Sequence, residues 1–228
     1  MTQSIKDNVA GIEKRVSVAC AELGRSRDEV TIVAVVKHQP VHMIAEAVNL
    51  GLTNIAENYV AEAVTKQAEI TKLRDGVDER INWHLIGHLQ RNKVRTAVSL
   101  FDLIQSVDSE KLLIEIDREA ARIGKNQKIL IQPKLGEEAS KSGVTLNGLD
   151  SLIHIALSLD SVKLMGIMGI PPNGEDPTPH FQTLDQYFRK LPSDCQKFLS
   201  MGMSEDFENA ISQGATMVRI GTSLFGRR

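Results

Sequence analysis

The sequence predicts an α/β chain folded as one (β/α)8 TIM barrel with an extra N-terminal helix, residues 1–228 forming a single domain. Three observations predict it. Eight short β-branched or apolar runs recur along the chain, with segments of helical periodicity between them. Several runs are apolar on both faces, as in a parallel sheet covered by helices. Polar residues crowd the C-terminal ends of the runs, the end at which a barrel opens to its ligand. A doubly wound open sheet shares the strand–helix alternation and is the competing architecture, but no GxGxxG follows the first strand.

The elements follow in order. An amphipathic helix runs from about Ile5 to Leu23, with Gly24 as its stop. The first strand, Val30–Val36, is closed by Lys37, and Met43, Ile44, Ala47 and Val48 lie at helical spacing after it. The second strand, Asn54–Ala56, leads into Glu57-Asn58-Tyr59. The third, Asn82–Ile86, carries His84 and ends at Gly87-His88. Arg91-Asn92-Lys93-Val94-Arg95 is the densest basic cluster and reads as a solvated helix face. The fourth strand, Leu103–Val107, ends near Ser106, and Leu112, Leu113 and Ile116 mark the next helix. The fifth is Lys128–Gln132 and the sixth Lys163–Ile167. Pro171–Pro179 reads as a surface loop before a helix. The seventh strand, Lys197–Ser200, leads to Met201-Gly202, and the eighth, Met217–Ile220, contains Arg219 and leads to Gly221-Thr222.

Bulk properties narrow the function. The chain has 228 residues, 42% hydrophobic, enough for a substantial core. A formal net charge of −2 with scattered basic residues gives no electrostatic case for nucleic acid. Cys20 and Cys195 stand far apart in no CxxC pattern, which fits reduced thiols in the cytoplasm. No apolar run approaches the ~18 residues of a membrane span, and the N-terminus has no signal core. The expected form is a monomer, since no large exposed apolar helix face stands out.

Lys37 is the candidate nucleophile. At the end of a buried strand it is expected to lose solvation, which favours the neutral amine that attacks an aldehyde. A lysine snorkelling to the surface is the competing reading. Gly221-Thr222 fits a phosphate cradle, since barrels often hold phosphate after strands seven and eight on backbone N–H groups. Thr222 and Ser223 offer hydroxyls, and Ser200 and Gly202 complete that cup from strand seven. Ser204 reads as a helix N-cap whose following acids, Glu205 and Asp206, oppose a phosphate there. Arg219 lies two residues before Gly221 and so faces the same way, into the mouth. Against a pyridine nitrogen its permanent charge makes the ring a weaker electron sink. An amine, a phosphate site and a fixed cation together suit pyridoxal 5′-phosphate (PLP). A lysine-dependent aldolase acting on a phosphorylated substrate uses the same groups. His38/His42 and His84/His88 lack a third metal ligand. Trp83 and Phe101 read as packing.

Long motifs in order resemble the pyridoxal phosphate homeostasis proteins. They include Val33-Ala34-Val35-Val36-Lys37, Glu57-Asn58-Tyr59-Val60, the run from Trp83 to Lys93, and Lys141-Ser142-Gly143. Leu164–Met168, Leu199–Ser204, Met217–Thr222 and Phe225–Arg228 also match. The resemblance implies a fold-type III PLP barrel like the N-terminal domain of alanine racemase, with PLP held as a Schiff base on Lys37. It implies a cofactor site of Lys37, Asn58, Ser200, Met201, Gly202, Arg219, Gly221 and Thr222. It implies a non-catalytic role in vitamin B6 homeostasis, with PLP-dependent apo-enzymes as partners. The chain departs from the family pattern at Val36 and His38 beside the lysine, at Ala56, and at Pro133-Lys134, where Lys134 would add charge to the mouth. A racemase-like enzyme is the alternative. It needs a second acid/base, which in alanine racemase is a tyrosine from another domain, and this chain stops soon after its eighth strand. Tyr59 and Tyr187 are the only tyrosines here.

Overall fold

The computed structural model describes residues 4–73, 81–136 and 142–226. Lys141, Arg227 and Arg228 of the motifs above lie outside the described residues.

Eight parallel strands close into a barrel in sequence order: β1 (Thr31–Val35), β2 (Asn54–Glu57), β3 (Asn82–Leu85), β4 (Leu103–Val107), β5 (Gln127–Ile131), β6 (Val162–Met168), β7 (Phe198–Ser200) and β8 (Met217–Ile220). The pairing of β1 with β8, Thr31 to Met217 through Ala34 to Ile220, completes the ring and excludes the open sheet. Around it lie α2 (Val41–Asn49), α3 (Val60–Leu73), α4 (Val94–Leu100), α5 (Glu110–Arg122), α6 (Leu146–Ser158), α7 (Thr178–Lys190), α8 (Phe207–Ser212) and the short α9 (Thr222–Phe225). They follow α1 (Ile5–Ala21), the extra N-terminal helix. Ser4 caps α1 by accepting the Asp7 N–H at 3.1 Å. The helix ends two residues short of the predicted Leu23, and Gly24 turns the chain at φ 65°.

Strand alternation sorts the apolar residues into two cores. Ile32, Ala34 and Val36 of the first strand region face outward, into the large core beneath the helices. Val33 points inward, with Ala56, Leu103, Leu130, Met165, Met168 and Met217. Trp83 and Phe101 belong to the outer core, as packing residues. Two register irregularities interrupt this order, between Ile104 and Val107 and between Ile129 and Ile131. Gln105 faces inward by alternation with Leu103, and across the first irregularity Ser106 donates to the Gly87 carbonyl at 2.6 Å while Val107 joins the outer core. Gly166, at φ 146°, lies where a Cβ would sit 1.9 Å from the Phe198 carbonyl oxygen, so only glycine lets β6 approach β7 there.

The start of the chain is tied to its last elements. Asn8 donates to the Leu224 carbonyl at 2.8 Å, and Arg15 pairs with Glu208 at 2.5 Å. Arg25 donates to the carbonyls of Ile211 and Ala215 at 3.1 and 3.0 Å. No helix among the described residues is long and apolar enough to cross a membrane.

Candidate functional site at the barrel mouth

The inward face of the first strand ends in order Val33, Val35, Lys37, which carries Lys37 out of the barrel core to its rim. A cavity of about 470 Å³ opens there, lined by Lys37, Asn58, Arg219, Gly221 and Thr222 among others. Five of the eight predicted site residues therefore meet. The other three stand behind the wall. Ser200 and Met201 are fully buried, and Gly202 packs so closely that a Cβ would lie 2.5 Å from that of Ala210. The Gly202 carbonyl accepts the Arg219 N–H at 3.0 Å, so it supports the site from below.

Lys37 is exposed, contrary to the desolvation expected at a strand end. The strand stops at Val35, and the last two residues of the run already climb out of the sheet. Burial is thus not the argument for its nucleophilicity. Its neighbours are held firmly. Lys66, on α3, is buried and donates to the Val36 carbonyl at 2.7 Å, to Glu62 at 2.9 Å and to Glu57. Glu62 in turn accepts the His38 N–H at 2.9 Å and pairs with the His38 ring at 2.9 Å. Among the described residues, His38 alone of the non-glycines has positive φ, 58°. Burial pushes the Glu57 carboxyl above its ordinary range despite Lys66. For Glu62 burial pushes upward too, but the His38 N–H and Lys66 outweigh it and hold it low.

Asn58 stands over Gly87, where a Cβ would lie 2.2 Å from the Asn58 carbonyl oxygen. The Oδ1 of Asn58 is buried and has no hydrogen-bond partner. Arg219, 3% exposed, reaches the cavity from the barrel interior. Its NH1 donates to Ser200 Oγ at 2.8 Å and its NH2 to the Gly169 carbonyl at 2.9 Å. Burial lowers its pKa to about 10, which leaves it charged at neutral pH.

Two backbone donors converge beside it. The N–H groups of Gly221 and Ser223 point to Ser204 Oγ, at 3.4 and 3.3 Å. Ser204 is therefore not the predicted N-cap. Its helix, α8, begins later at Phe207, because Asp206 accepts the Met203 N–H at 2.6 Å and closes a turn first. Pro171 and Pro172 are buried, and the segment Ile170–Glu175 forms one wall of the cavity rather than a plain surface loop. Neither Tyr59, 53% exposed, nor Tyr187 lines the cavity, nor does Lys134, whose backbone is packed against Gly143. No His/Cys/Asp/Glu group among the described residues is arranged to hold a metal.

The residues fit a phosphorylated aldehyde: an amine at the rim, converging N–H donors, a buried cation and an unpaired acceptor. The convergence of the Gly221 and Ser223 N–H groups on Ser204 was not legible, since Ser-Glu-Asp carries the signature of a helix start.

Fold and mouth define a class, the barrel of the alanine racemase N-terminal domain, whose family model matches residues 8–228. The alanine racemase of Streptomyces coelicolor shares the fold, with a TM-score of 0.73 at 16% identity over 98% of this chain and 58% of that one. Within the class, the chain belongs to the pyridoxal phosphate homeostasis protein family. The Aquifex aeolicus member is 37% identical, covering 97% of each chain. PipY of Synechococcus elongatus, solved with PLP bound, is 35% identical with a TM-score of 0.80 over 92% of this chain and all of that one.

Proposed function

We propose that this chain binds pyridoxal 5′-phosphate at the barrel mouth, anchors it covalently on Lys37, and holds and buffers it without turning over a substrate. The observation that carries this reading is the meeting of Lys37, Arg219, Gly221 and Ser204 around one cavity, with the Gly221 and Ser223 N–H groups converging on the Ser204 hydroxyl. When bound, PLP supplies an aldehyde carbon open to an amine and a ring that withdraws electrons. Lys37 offers the amine. Gly221 and Ser223 offer two donors to a phosphate oxygen, and Thr222 a hydroxyl. Arg219 offers a hydrogen bond and a fixed charge to the ring nitrogen, which opposes protonation there and weakens the electron sink. Ser200, Met201 and Gly202 support the cradle from behind.

The names of the relatives and the PLP-bound state of PipY support the ligand. The relatives' name, pyridoxal phosphate homeostasis protein, supports a carrier over a racemase. Two buried thiols, Cys20 and Cys195, suit a reducing cytoplasm. A monomer that passes PLP to apo-enzymes is the role this reading implies.

The test is an absorbance spectrum of the purified protein with PLP, before and after borohydride, beside Lys37→Ala. A visible band that reduction abolishes and the variant lacks is expected, with no racemisation of a panel of L-amino acids. No band after PLP addition overturns the reading, and a borohydride-trapped sugar phosphate would then favour a lysine aldolase. Racemisation at ordinary enzyme rates, lost in Lys37→Ala, would overturn the carrier role alone.

A further inference from the structure

The interior of a (β/α)8 barrel is ordinarily filled by branched apolar side chains. This one spends part of its interior on a polar chain. Arg219, Ser200, Gln105 and His84 are all buried, none more than 3% exposed. A guanidinium only donates, so the Ser200 hydroxyl accepts from NH1 at 2.8 Å. Its own proton then goes to Gln105 Oε1, at 2.7 Å. That bond fixes the amide, whose nitrogen faces His84 Nδ1 at 2.9 Å and the Met217 sulfur at 3.3 Å. Nδ1 of His84 must accept, which puts the ring proton on Nε2. Donation therefore runs one way, from the charge at the mouth to the imidazole inside.

The surroundings keep that direction. Burial holds the His84 pKa down at about 4, with Asp102 pulling it up and Lys128 pushing it down, so the ring stays a neutral acceptor at neutral pH. Asp206 is the acid that favours the charged form of Arg219.

We infer that Gln105 is a positioning residue for Arg219, acting through the Ser200 hydroxyl and oriented by His84. A leucine of similar length would fill the space but would leave the Ser200 proton without its acceptor. The hydroxyl would then turn, and the guanidinium would lose the partner that holds NH1 away from the cavity. The effect on ligand binding rests on the PLP reading above; the direction of the chain does not.

The experiment compares wild type, Gln105→Leu, Gln105→Glu and Ser200→Ala. Long-range 1H–15N spectra of the protein without PLP should show His84 protonated on Nε2 and bare on Nδ1. In Gln105→Glu the carboxylate still accepts from Ser200 but now requires a proton from the ring, so Nδ1 becomes protonated. Gln105→Leu and Ser200→Ala should exchange their Arg219 guanidinium protons faster than wild type. They should also bind PLP about tenfold more weakly, with a displaced pH midpoint of the visible band. Gln105→Glu should stay within about threefold of wild type. A protonated Nδ1 in the wild type, or wild-type exchange in both interrupted variants, overturns the inference. If no form binds PLP, the PLP reading fails, and tautomer and exchange still decide the chain. Should Gln105→Leu not fold, Ser200→Ala answers the same question.

Discussion

Asn58 is the residue whose environment makes least sense for the protein alone. A buried acceptor without a partner costs about 1–3 kcal/mol, and its Oδ1 bears that cost at the lip of a cavity shared with Lys37 and Arg219. Such an atom is tolerated where something from outside completes it. Asn58→Ala should therefore melt no lower than wild type in scanning calorimetry, while PLP titration shows affinity down by about tenfold. A variant that melts lower and binds PLP as well as wild type would make Asn58 a purely structural residue. Among the described residues Gln127 Oε1 is likewise a buried acceptor without a partner; it lies outside this cavity, and nothing in the structure explains it.

At the scale of the element, α3 acts as a brace on the strand ends beside it. Lys66 reaches the end of the first strand through the Val36 carbonyl and the end of β2 through Glu57. Lys37 and Asn58 each follow one of these braced residues. Lys66→Met would leave Glu57, 0% exposed, as an uncompensated acid, and a loss of about 3–5 kcal/mol in urea unfolding is expected. The double variant Lys66→Met/Glu57→Gln should recover most of it, and a double variant as unstable as the single one would refute the charge argument. None of this brace was legible beforehand. Lys66 sits in a helical pattern as any surface lysine would, and its partners come from other elements. The strands were legible because a parallel sheet buried on both faces leaves nearly unbroken apolar runs, such as Ile32–Val36. Their edges shifted by a residue, as at β5 and β6, whose pairing begins one residue earlier than the apolar runs suggest, at Gln127 and Val162. Lys37, Arg219, Gly221 and Thr222 were readable as neighbours at the mouth because each sits at or beside a strand end, and the family resemblance added Asn58; the five do line one cavity. The wall from Ile170 was not, since proline and glycine announce a loop without saying where it folds. The side of the wall on which Ser200 falls was equally hidden.

For the whole molecule, His84 links stability to pH. In the unfolded chain it takes up a proton as pH falls through its ordinary 6.5; in the folded chain it does so only near 4. Protons therefore favour the unfolded state throughout that window. Stability is fully present above about pH 6.5 and declines as pH falls toward 4, by a total on the order of 3 kcal/mol. Urea unfolding at pH 7, 6 and 5 should show that decline, and His84→Gln should flatten it. An equal slope in the variant would place the acid sensitivity elsewhere than His84; Glu62 adds its own loss only at more acid pH, because its carboxyl is held below the ordinary value.

The mouth is also divided in time. Its amine follows the first strand, and its cation and N–H donors lie on the last strand and just beyond it, where β8 closes on β1. While the chain is being made, a ribosome exposes Lys37 early, as a bare lysine on an unclosed sheet. The groups that would receive a phosphate emerge about 180 residues later, with β8 and the turn after it. A nascent chain that has not yet reached β8 therefore has neither a closed barrel nor more than half of this mouth.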